Sequence, residues 1–255
     1  RADHFLCVLQ ERLAALGCKV VIQGRTENGP AQYGEGSTLT AVAKAVKQRY
    51  KVDTMRALGD LTDPDQVDKC VGSILKKFGR IDILVHNAGG DIAAEGGKPE
   101  PNDAVLIKQQ DVEAVLDRNL LSTILTCRAV ARMMMERRTG RIITISSIAA
   151  FRGHDQGAIY ATAKAGQVAY TRSLAQQLRP HNVTVNSLAP GDTRTGRFMN
   201  TRDVDQGRMV TDGTLERIAT VDEVARVVEF FAGPLGEFVT GQVIRVDGGH
   251  QAWSA

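Results

Sequence analysis

Short apolar runs alternate along this chain with longer stretches in which apolar residues recur at helical spacing. Runs that are apolar at nearly every position are typical of strands covered by helices on both faces of a sheet. We predict strands near residues 19–23, 55–58, 81–86, 141–146, 183–188 and 242–246. We predict helices near residues 39–50, 64–78, 112–137, 158–179 and 221–231. This alternation indicates repeated βαβ units, and therefore an α/β fold with a parallel sheet.

Composition is consistent with one α/β domain spanning residues 1–255. The chain has 255 residues and is 43% hydrophobic, which is enough to bury a large core. The net charge is only +3 and the basic residues are dispersed, which argues against nucleic-acid binding. No apolar run approaches the ~20 residues that span a membrane, and the first residues lack a signal-peptide pattern. Cys7, Cys18, Cys70 and Cys127 are scattered without metal-binding or disulfide spacing, so we expect a reduced, cytoplasmic setting.

The chemistry is most visible at Tyr160 and Lys164. Residues four apart on a helix lie on one face, so a phenol and an ammonium at this spacing can address one pocket. The positive charge favours phenolate and lowers the tyrosine pKa from about 10 towards the range of a general acid or base. The pair alone is a weak signal, because a tyrosine beside a solvated lysine is common on helices.

Two further residues strengthen the interpretation. Ser147 follows the predicted strand 141–146, and ligands of parallel sheets bind beyond the carboxyl ends of the strands. Asn119 lies upstream, in the predicted helix 112–137. Each residue also has a purely structural alternative. Ser147 fits a helix cap, Asn119 a satisfied buried amide and Lys164 a surface charge.

Six motifs in the same order resemble the short-chain dehydrogenase/reductase family, in the single-domain form of 3-oxoacyl-carrier-protein reductases and sugar or polyol dehydrogenases. The resemblance covers about residues 11–249. The motifs are Asn87-Ala88-Gly89, Asn119-Leu120, Ser146-Ser147, Tyr160 to Gly166 (YATAKAG), Val185 to Gly191 (VNSLAPG) and Val246 to Gly249 (VDGG). The resemblance implies a doubly wound Rossmann-type sheet flanked by helices on both faces, and an oxidoreductase that interconverts a carbonyl and a secondary alcohol.

Catalytic roles follow from the same resemblance. It implies Tyr160 as the acid/base on the substrate oxygen and Ser147 as the group that holds that oxygen. Lys164 would lower the tyrosine pKa and bind the nicotinamide ribose, and Asn119 would help to pass protons to solvent. Hydride transfer belongs to the cofactor, while the protein supplies position and electrostatics.

The resemblance also assigns cofactor contacts. Asp60 matches the position near the adenine. Asn87 and Gly89 match the turn that closes over the cofactor. Pro190 and Gly191, after the fifth predicted strand, also belong to the implied cofactor-binding set. Thr193 or Thr195 would contact the nicotinamide carboxamide. Tyr160 and Lys164 complete the set.

Cofactor preference is predicted from the residues that follow strand 19–23. A carboxylate there binds the ribose 2′-hydroxyl of NAD, whereas an arginine attracts the 2′-phosphate of NADP. Gly24 provides no acid and Arg25 provides a guanidinium. We therefore favour NADP(H) and keep NAD(H) as possible, because Arg25 also fits a solvated loop charge.

The beginning of the chain departs from the family pattern. A dinucleotide site of this type needs an apolar strand and then a glycine-rich turn facing the pyrophosphate. Residues 1–10 contain neither, and residues 11–18 match the end of the family's first helix. The lost strand would be central, so its neighbours would keep unpaired backbone groups. We expect an altered or incomplete start, with loss of cofactor binding as the alternative.

The substrate is less readable. The segment 193–213 corresponds to the mobile region over the substrate, and Arg152 and His154 lie between the catalytic serine and tyrosine. Guanidinium groups bind carboxylates or phosphates, so an anionic substrate is one hypothesis, and solvated loop charges are the other. The segment's arginines are Arg194, Arg197, Arg202 and Arg208. We interpret residues 90–110 as a flap or an oligomer contact.

Three functions remain to be compared. The first is an NADP(H)-dependent reductase or dehydrogenase on a small substrate. The second is a noncatalytic dinucleotide-fold interaction protein with an impaired cofactor site, supported only by the missing glycine loop. The third is a sugar-nucleotide epimerase or dehydratase, which the compact end at Asp247-Gly248-Gly249 disfavours. The resemblance further implies a homotetramer in which helices 112–137 and 158–179 pack between subunits.

Overall fold

The order of helices and strands is that of an α/β protein. The computed structural model describes residues 5–33, 37–201, 204–210 and 213–253. Its helices are α1 (Phe5–Ala15), α2 (Leu39–Tyr50), α3 (Pro64–Phe78), α4 (Gln109–Leu116), α5 (Ser122–Arg137), α6 (Ala158–Leu178), α7 (Gly196–Thr201) and α8 (Val221–Ala232). Its strands are β1 (Val20–Gly24), β2 (Thr54–Leu58), β3 (Ile83–His86), β4 (Gly140–Ile145), β5 (Val183–Pro190) and β6 (Val243–Val246). Every predicted strand is present within about two residues of its predicted bounds.

All strand pairs are parallel, but they form two sheets. β3, β4, β5 and β6 pair in that order, and β1 pairs only with β2. Among the described residues, β1 and β3 thus each pair on one side only. Residues 5–15, which precede β1, are helical and provide no additional strand. The division has the form predicted from the absence of an initial apolar strand.

Helices cover both faces of the four-stranded sheet, as predicted. On one face Ile143 and Leu188 pack with Val228 and Phe231 of α8 and with Leu9 of α1. On the other face, α5 and α6 bury a second cluster. Its largest members are Met134, Ile142, Leu174 and Leu178. Apolar side chains dominate both clusters, although the strands also bury polar residues such as Thr144, Asn186 and Ser187.

Helix starts follow local capping chemistry. The Asp63 carboxylate accepts hydrogen bonds from the backbone of Asp65 and Gln66, with Pro64 in the first turn. Thr220 and Glu223 form a reciprocal capping box at the start of α8. Both predicted starts are confirmed.

The predicted continuous helix 112–137 is wrong in its middle. A π-helical turn, Asp117–Leu121, separates α4 from α5. Side chains here bond to backbone carbonyls one turn back, from Ser122 to Arg118 and from Thr123 to Asn119. Such bonds compete with the regular helical ladder and favour a local bulge. The bulge contains Asn119.

Candidate active site

A cavity of about 480 Å³ opens where the strands β3, β4 and β5 end. This is the edge at which ligands of parallel sheets bind. It brings together seven of the predicted catalytic and cofactor-binding residues: Asn87, Ser147, Tyr160, Pro190, Gly191, Thr193 and Thr195. The proposed acid/base, its serine partner and most of the proposed nicotinamide contacts therefore share one space.

Ser147 and Tyr160 reach the cavity from opposite ends of one connection. Ser147 follows β4 in extended backbone, and its hydroxyl accepts a hydrogen bond from the Ala149 amide at 3.2 Å. It therefore caps a short 3₁₀ turn as well as lining the cavity. Gly157, with φ of 74°, begins α6 and bonds to the Asn102 carbonyl at 2.7 Å. That turn directs the first residues of α6, including Tyr160, towards the cavity.

Lys164 lies beneath Tyr160 and is buried. Its Nζ is 5.6 Å from the centre of the Tyr160 ring. The ammonium donates to the Ile145 carbonyl at 2.8 Å and to Gln167 Oε1 at 2.9 Å. Burial, followed by the charge of Arg197, lowers the pKa of Lys164 from 10.5 to about 7. The surface-charge alternative for Lys164 is wrong, because burial of this side chain is nearly complete.

Asn119 is fully buried and braces the loop beside the cavity. Its side-chain nitrogen donates to the Gly90 carbonyl at 2.9 Å and to the Val115 carbonyl at 2.8 Å. Its oxygen accepts from the Gly90 amide at 2.8 Å. Gly89 has φ of 135°, and a Cβ there would lie 2.4 Å from that oxygen. The structure thus supports the buried-amide interpretation of this side chain, and its proton-passing role stays a prediction.

Two predicted cofactor residues lie away from the cavity. Arg25 follows β1 and is exposed, whereas Asp60 follows β2. Asp60 Oδ1 accepts bonds from the backbone and hydroxyl of Thr62. Both residues follow strands of the two-stranded sheet, so a dinucleotide would have to extend from the cavity beyond β3 to reach them.

The arginines predicted to bind an anion have different surroundings. Arg152 and His154 line the cavity, as does Arg197, which donates to the carbonyls of Gly89 and Asp91. Arg208 pairs with Asp192 at 3.4 Å.

The remaining arginines of the predicted substrate region and the predicted flap differ in their surroundings. Arg194 donates to the Val210 carbonyl. Arg202 lies outside the described residues. Gly90, Asp91, Lys98 and Asn102 of the predicted flap form one wall of the cavity.

Comparison with known proteins places this geometry in a family. A family model described as enoyl-(acyl carrier protein) reductase matches residues 10–251. The chain is 41% identical over 201 residues to a cyclohexanol dehydrogenase of Rhodococcus sp. (strain TK6), covering 76% of this chain and 73% of that protein. It is 31% identical over 243 residues to the 3-oxoacyl-[acyl-carrier-protein] reductase FabG of Escherichia coli (strain K12), covering 94% and 90%. The chain belongs to the short-chain dehydrogenase/reductase family.

Solved structures agree with this assignment. Levodione reductase superposes on this short-chain dehydrogenase/reductase with a TM-score of 0.82 and 25% identity, covering 98% of this chain and 95% of that one. An NAD+-bound xylitol dehydrogenase superposes with a TM-score of 0.81 and 25% identity, covering 97% and 95%. The fold is therefore Rossmann-type, and the protein is a dehydrogenase/reductase of a family that uses NAD(P).

A cluster of three buried polar side chains lies behind the cavity of this short-chain dehydrogenase/reductase and was not predicted from the sequence. Gln167, Thr123 and His86 are buried and joined by hydrogen bonds. Spacing offered one signal, because Gln167 lies three residues after Lys164 and seven after Tyr160, on the same helical face. None of the six family motifs includes these residues.

The site fits one end of a nicotinamide dinucleotide better than the other. The residues that line the cavity suit a nicotinamide and its ribose, since hydroxyls, an amide and a glycine turn converge there. Pyrophosphate needs a ring of backbone amides at a helix start. The described residues before β1 are helical and supply no glycine-rich turn between a strand and a helix. The fit therefore covers the reacting end of the cofactor.

A separate structural result concerns membranes. Among the described residues, no helix combines the length and the apolar character that crossing a membrane requires.

Proposed function

We propose that this protein is an NADP(H)-dependent oxidoreductase that interconverts a carbonyl and a secondary alcohol on a small substrate. The observation that carries the proposal is the shared cavity of Ser147 and Tyr160, with the Lys164 nitrogen 5.6 Å from the tyrosine ring. A serine hydroxyl, a tyrosine phenol and a buried lysine amine placed side by side can together transfer a proton to a substrate oxygen.

The chain's own groups have separate tasks in the proposed reaction. A bound nicotinamide cofactor supplies or accepts the hydride at carbon. In the reducing direction, Tyr160 gives its proton to the carbonyl oxygen that the Ser147 hydroxyl holds. In the oxidising direction, Tyr160 takes that proton back. Protonated Lys164 favours the phenolate form of Tyr160.

Preference for NADP(H) rests on Arg25. The exposed guanidinium follows β1, and Gly24 provides no carboxylate to repel a 2′-phosphate. NAD(H) is the alternative cofactor, since the similar xylitol dehydrogenase structure holds NAD+.

A noncatalytic interaction protein is the second candidate. The division between β1 and β3 favours it, because this is the region in which the pyrophosphate turn was expected. One measurement separates the candidates, namely fluorescence titration with NADPH and NADH on protein of verified intact mass and N-terminal sequence. Saturable binding, tighter for NADPH, supports the first candidate. Absence of binding for both cofactors supports the second.

Catalysis is tested by Tyr160→Phe. The test substrate is cyclohexanone, the ketone that corresponds to the alcohol named for the cyclohexanol dehydrogenase relative. The variant should lose about 10²-fold or more in NADPH-dependent reduction of cyclohexanone, because only the proton donor is removed. Tyr170→Phe on the same helix is the matched control, and its rate should stay within a few-fold of wild type. Retained turnover in Tyr160→Phe would remove the proposed acid/base.

Cofactor choice is tested by Arg25→Asp. The ratio of NADPH to NADH affinities should move towards NADH, since a carboxylate repels the 2′-phosphate. Arg172→Asp, an exposed change on α6, should leave the ratio unchanged. An unaltered ratio in Arg25→Asp would refute the role of this arginine.

A further inference from the structure

A chain of buried hydrogen bonds lies behind the cavity, with Gln167 at its centre. Gln167 is on α6 and is 0% exposed. Its oxygen accepts from Lys164 Nζ at 2.9 Å. Its nitrogen donates to the Asn119 carbonyl at 2.9 Å and to Thr123 Oγ1 at 2.6 Å. One side chain therefore joins the proposed catalytic lysine to the π-helical turn.

The orientation of the Gln167 amide follows from its partners. An ammonium only donates hydrogen bonds and a backbone carbonyl only accepts them. A flipped amide would direct its NH₂ group at Lys164 and its oxygen at the Asn119 carbonyl, which are two repulsive contacts. The oxygen of Gln167 must therefore face Lys164.

Gln167 and Ile145 together define where the lysine nitrogen lies. Lysine has a flexible stem, so its position depends on what its ammonium binds. The two acceptors come from different elements, the end of β4 and the next turn of α6. Neutral acceptors also offset part of the cost of burying the charge.

A space-filling role alone does not require glutamine. Burying an amide is unfavourable unless its hydrogen bonds are made, and an apolar side chain of similar volume would fill this site without that cost. The three hydrogen bonds of Gln167 are all made to groups in or beside the proposed catalytic set.

We propose that Gln167 is a positioning residue that holds the protonated Lys164 side chain beneath Tyr160. The inference rests on the proposed oxidoreductase function and extends it beyond the family's motif residues. Within the described part of the chain, three ionisable groups interact with Lys164 from the surrounding elements: Tyr160 on α6, Arg197 on α7 and His86 at the end of β3. His86 is uncharged near neutral pH, because burial lowers its pKa to about 3. Gln167 is thus the neutral side-chain acceptor that, together with the Ile145 carbonyl, counters the effects of burial and of the Arg197 charge on Lys164.

The test measures Lys164 directly, in protein without cofactor or substrate. Lysine side chains carrying ¹³C at Cε are titrated by NMR, and the Lys164 signal is assigned by its loss in Lys164→Met. Gln167→Met removes all three hydrogen bonds and should lower the Lys164 pKa by about one unit or more. Gln167→Glu keeps an acceptor, adds a negative charge and should raise that pKa. Gln176→Met, on the exposed face of α6, should change nothing.

Both Gln167 variants are checked for folding by thermal denaturation before the titration. The Lys164 pKa is expected to fall in Gln167→Met and to rise in Gln167→Glu, so one folded variant is enough to test the proposal. An unchanged Lys164 pKa in a folded Gln167 variant overturns the proposal.

Turnover provides a second readout. For cyclohexanone reduction, Gln167→Met should reduce kcat about tenfold or more at neutral pH with little change in KM, because the effect acts through Lys164. Its pH profile should move in the same direction as the lysine titration. If the titration shifts but wild-type protein never turns over, the oxidoreductase function fails and the positioning of Lys164 by Gln167 stands.

Discussion

The side-chain amide of Asn119 exchanges two hydrogen bonds with the backbone of Gly90, at 2.8 and 2.9 Å. The two residues are 29 positions apart in the chain. This reciprocal pairing fixes the loop after β3 against the π-helical turn, and the loop carries Asn87 into the cavity. Position 89 consequently has no room for a side chain.

Gly89→Ala tests this arrangement. Gly89 has φ of 135° and an added Cβ would lie 2.4 Å from Asn119 Oδ1. Strain of this kind costs of order 1–3 kcal/mol, so the free energy of unfolding should fall by about that amount in urea denaturation. Gly72→Ala is the matched control. Gly72 is inside α3 with open space around it, and alanine there should stabilise by up to about 1 kcal/mol.

Local chemistry explains which parts of the fold were predictable. The starts of α3 and α8 depend on residues within one helical turn, so the sequence near Asp63 and Thr220 was sufficient. The π-helical turn was not predictable, because the local bonds of Ser122 and Thr123 favour it only together with the pairing of Asn119 and Gly90 in space. Backbone pairing over long distances leaves little trace in local sequence.

The same distinction holds for the candidate site. Tyr160 and Lys164 share a helix, so their spacing predicted a common location. Gln167 has that helical spacing too, but its role depends on Thr123 and on the Asn119 carbonyl, which belong to other elements. The unpaired sides of β1 and β3 agree with the prediction from residues 1–10, where the apolar strand that would pair with both is not recognisable.

Glu223→Gln should destabilise the protein in a pH-dependent way. The Glu223 carboxylate accepts two hydrogen bonds from Arg217, at 2.9 and 2.6 Å. It also accepts a bond from the backbone amide of Thr220, the N-cap residue of α8. Hydrogen bonding to Arg217 is the largest cause that lowers the pKa of Glu223 from 4.5 to about 2. A lowered carboxylate pKa stabilises the folded state above the unfolded pKa, and the contribution is lost as pH falls from 4.5 towards 2.

Chemical denaturation at several pH values provides the measurement for Glu223→Gln. We expect a loss of about 1–2 kcal/mol at neutral pH, from the cap and the charged hydrogen bonds together. The difference from wild type should narrow below pH 4.5. Glu237→Gln, at an exposed position, serves as the control. A difference that stays constant down to acidic pH would contradict the assignment to the carboxylate charge.

His86 should make the protein less stable as the pH falls below neutrality. Burial, with the charge of Lys164 as a second cause, lowers the pKa of His86 from 6.5 to about 3. Between these values the unfolded chain binds a proton that the folded protein does not, so stability decreases as pH falls. The slope approaches about 1.4 kcal/mol per pH unit.

His86→Asn should remove this slope. Between pH 6.5 and 5 the free energy of unfolding of wild type should fall by roughly 1–2 kcal/mol more than that of the variant. His250→Asn, at an exposed site, should behave as wild type. Equal slopes for His86→Asn and wild type would show that His86 takes up its proton in the folded state.

The division of the sheet predicts a specific pattern of amide exchange. In a parallel strand, alternate residues point their backbone groups to opposite sides. The Val20 amide and the Gly24 carbonyl bond towards β2, and the Asp82 carbonyl bonds towards β4. It follows that the backbone groups of Val21 and Gln23, and those of Ile83 and Val85, point away from their paired strands.

Hydrogen exchange measured by NMR should therefore alternate along these two strands. The amides of Val21, Gln23, Ile83 and Val85 should exchange faster than that of Ile22, which faces β2, because exchange at an unpaired edge needs no strand separation. Ile143 of β4, which has a paired strand on each side, should exchange slowest. Uniform protection along β1 and β3 would mean that both edges are paired in solution. The cofactor titration would then have to be interpreted for a sheet in which β1 and β3 have no unpaired edge.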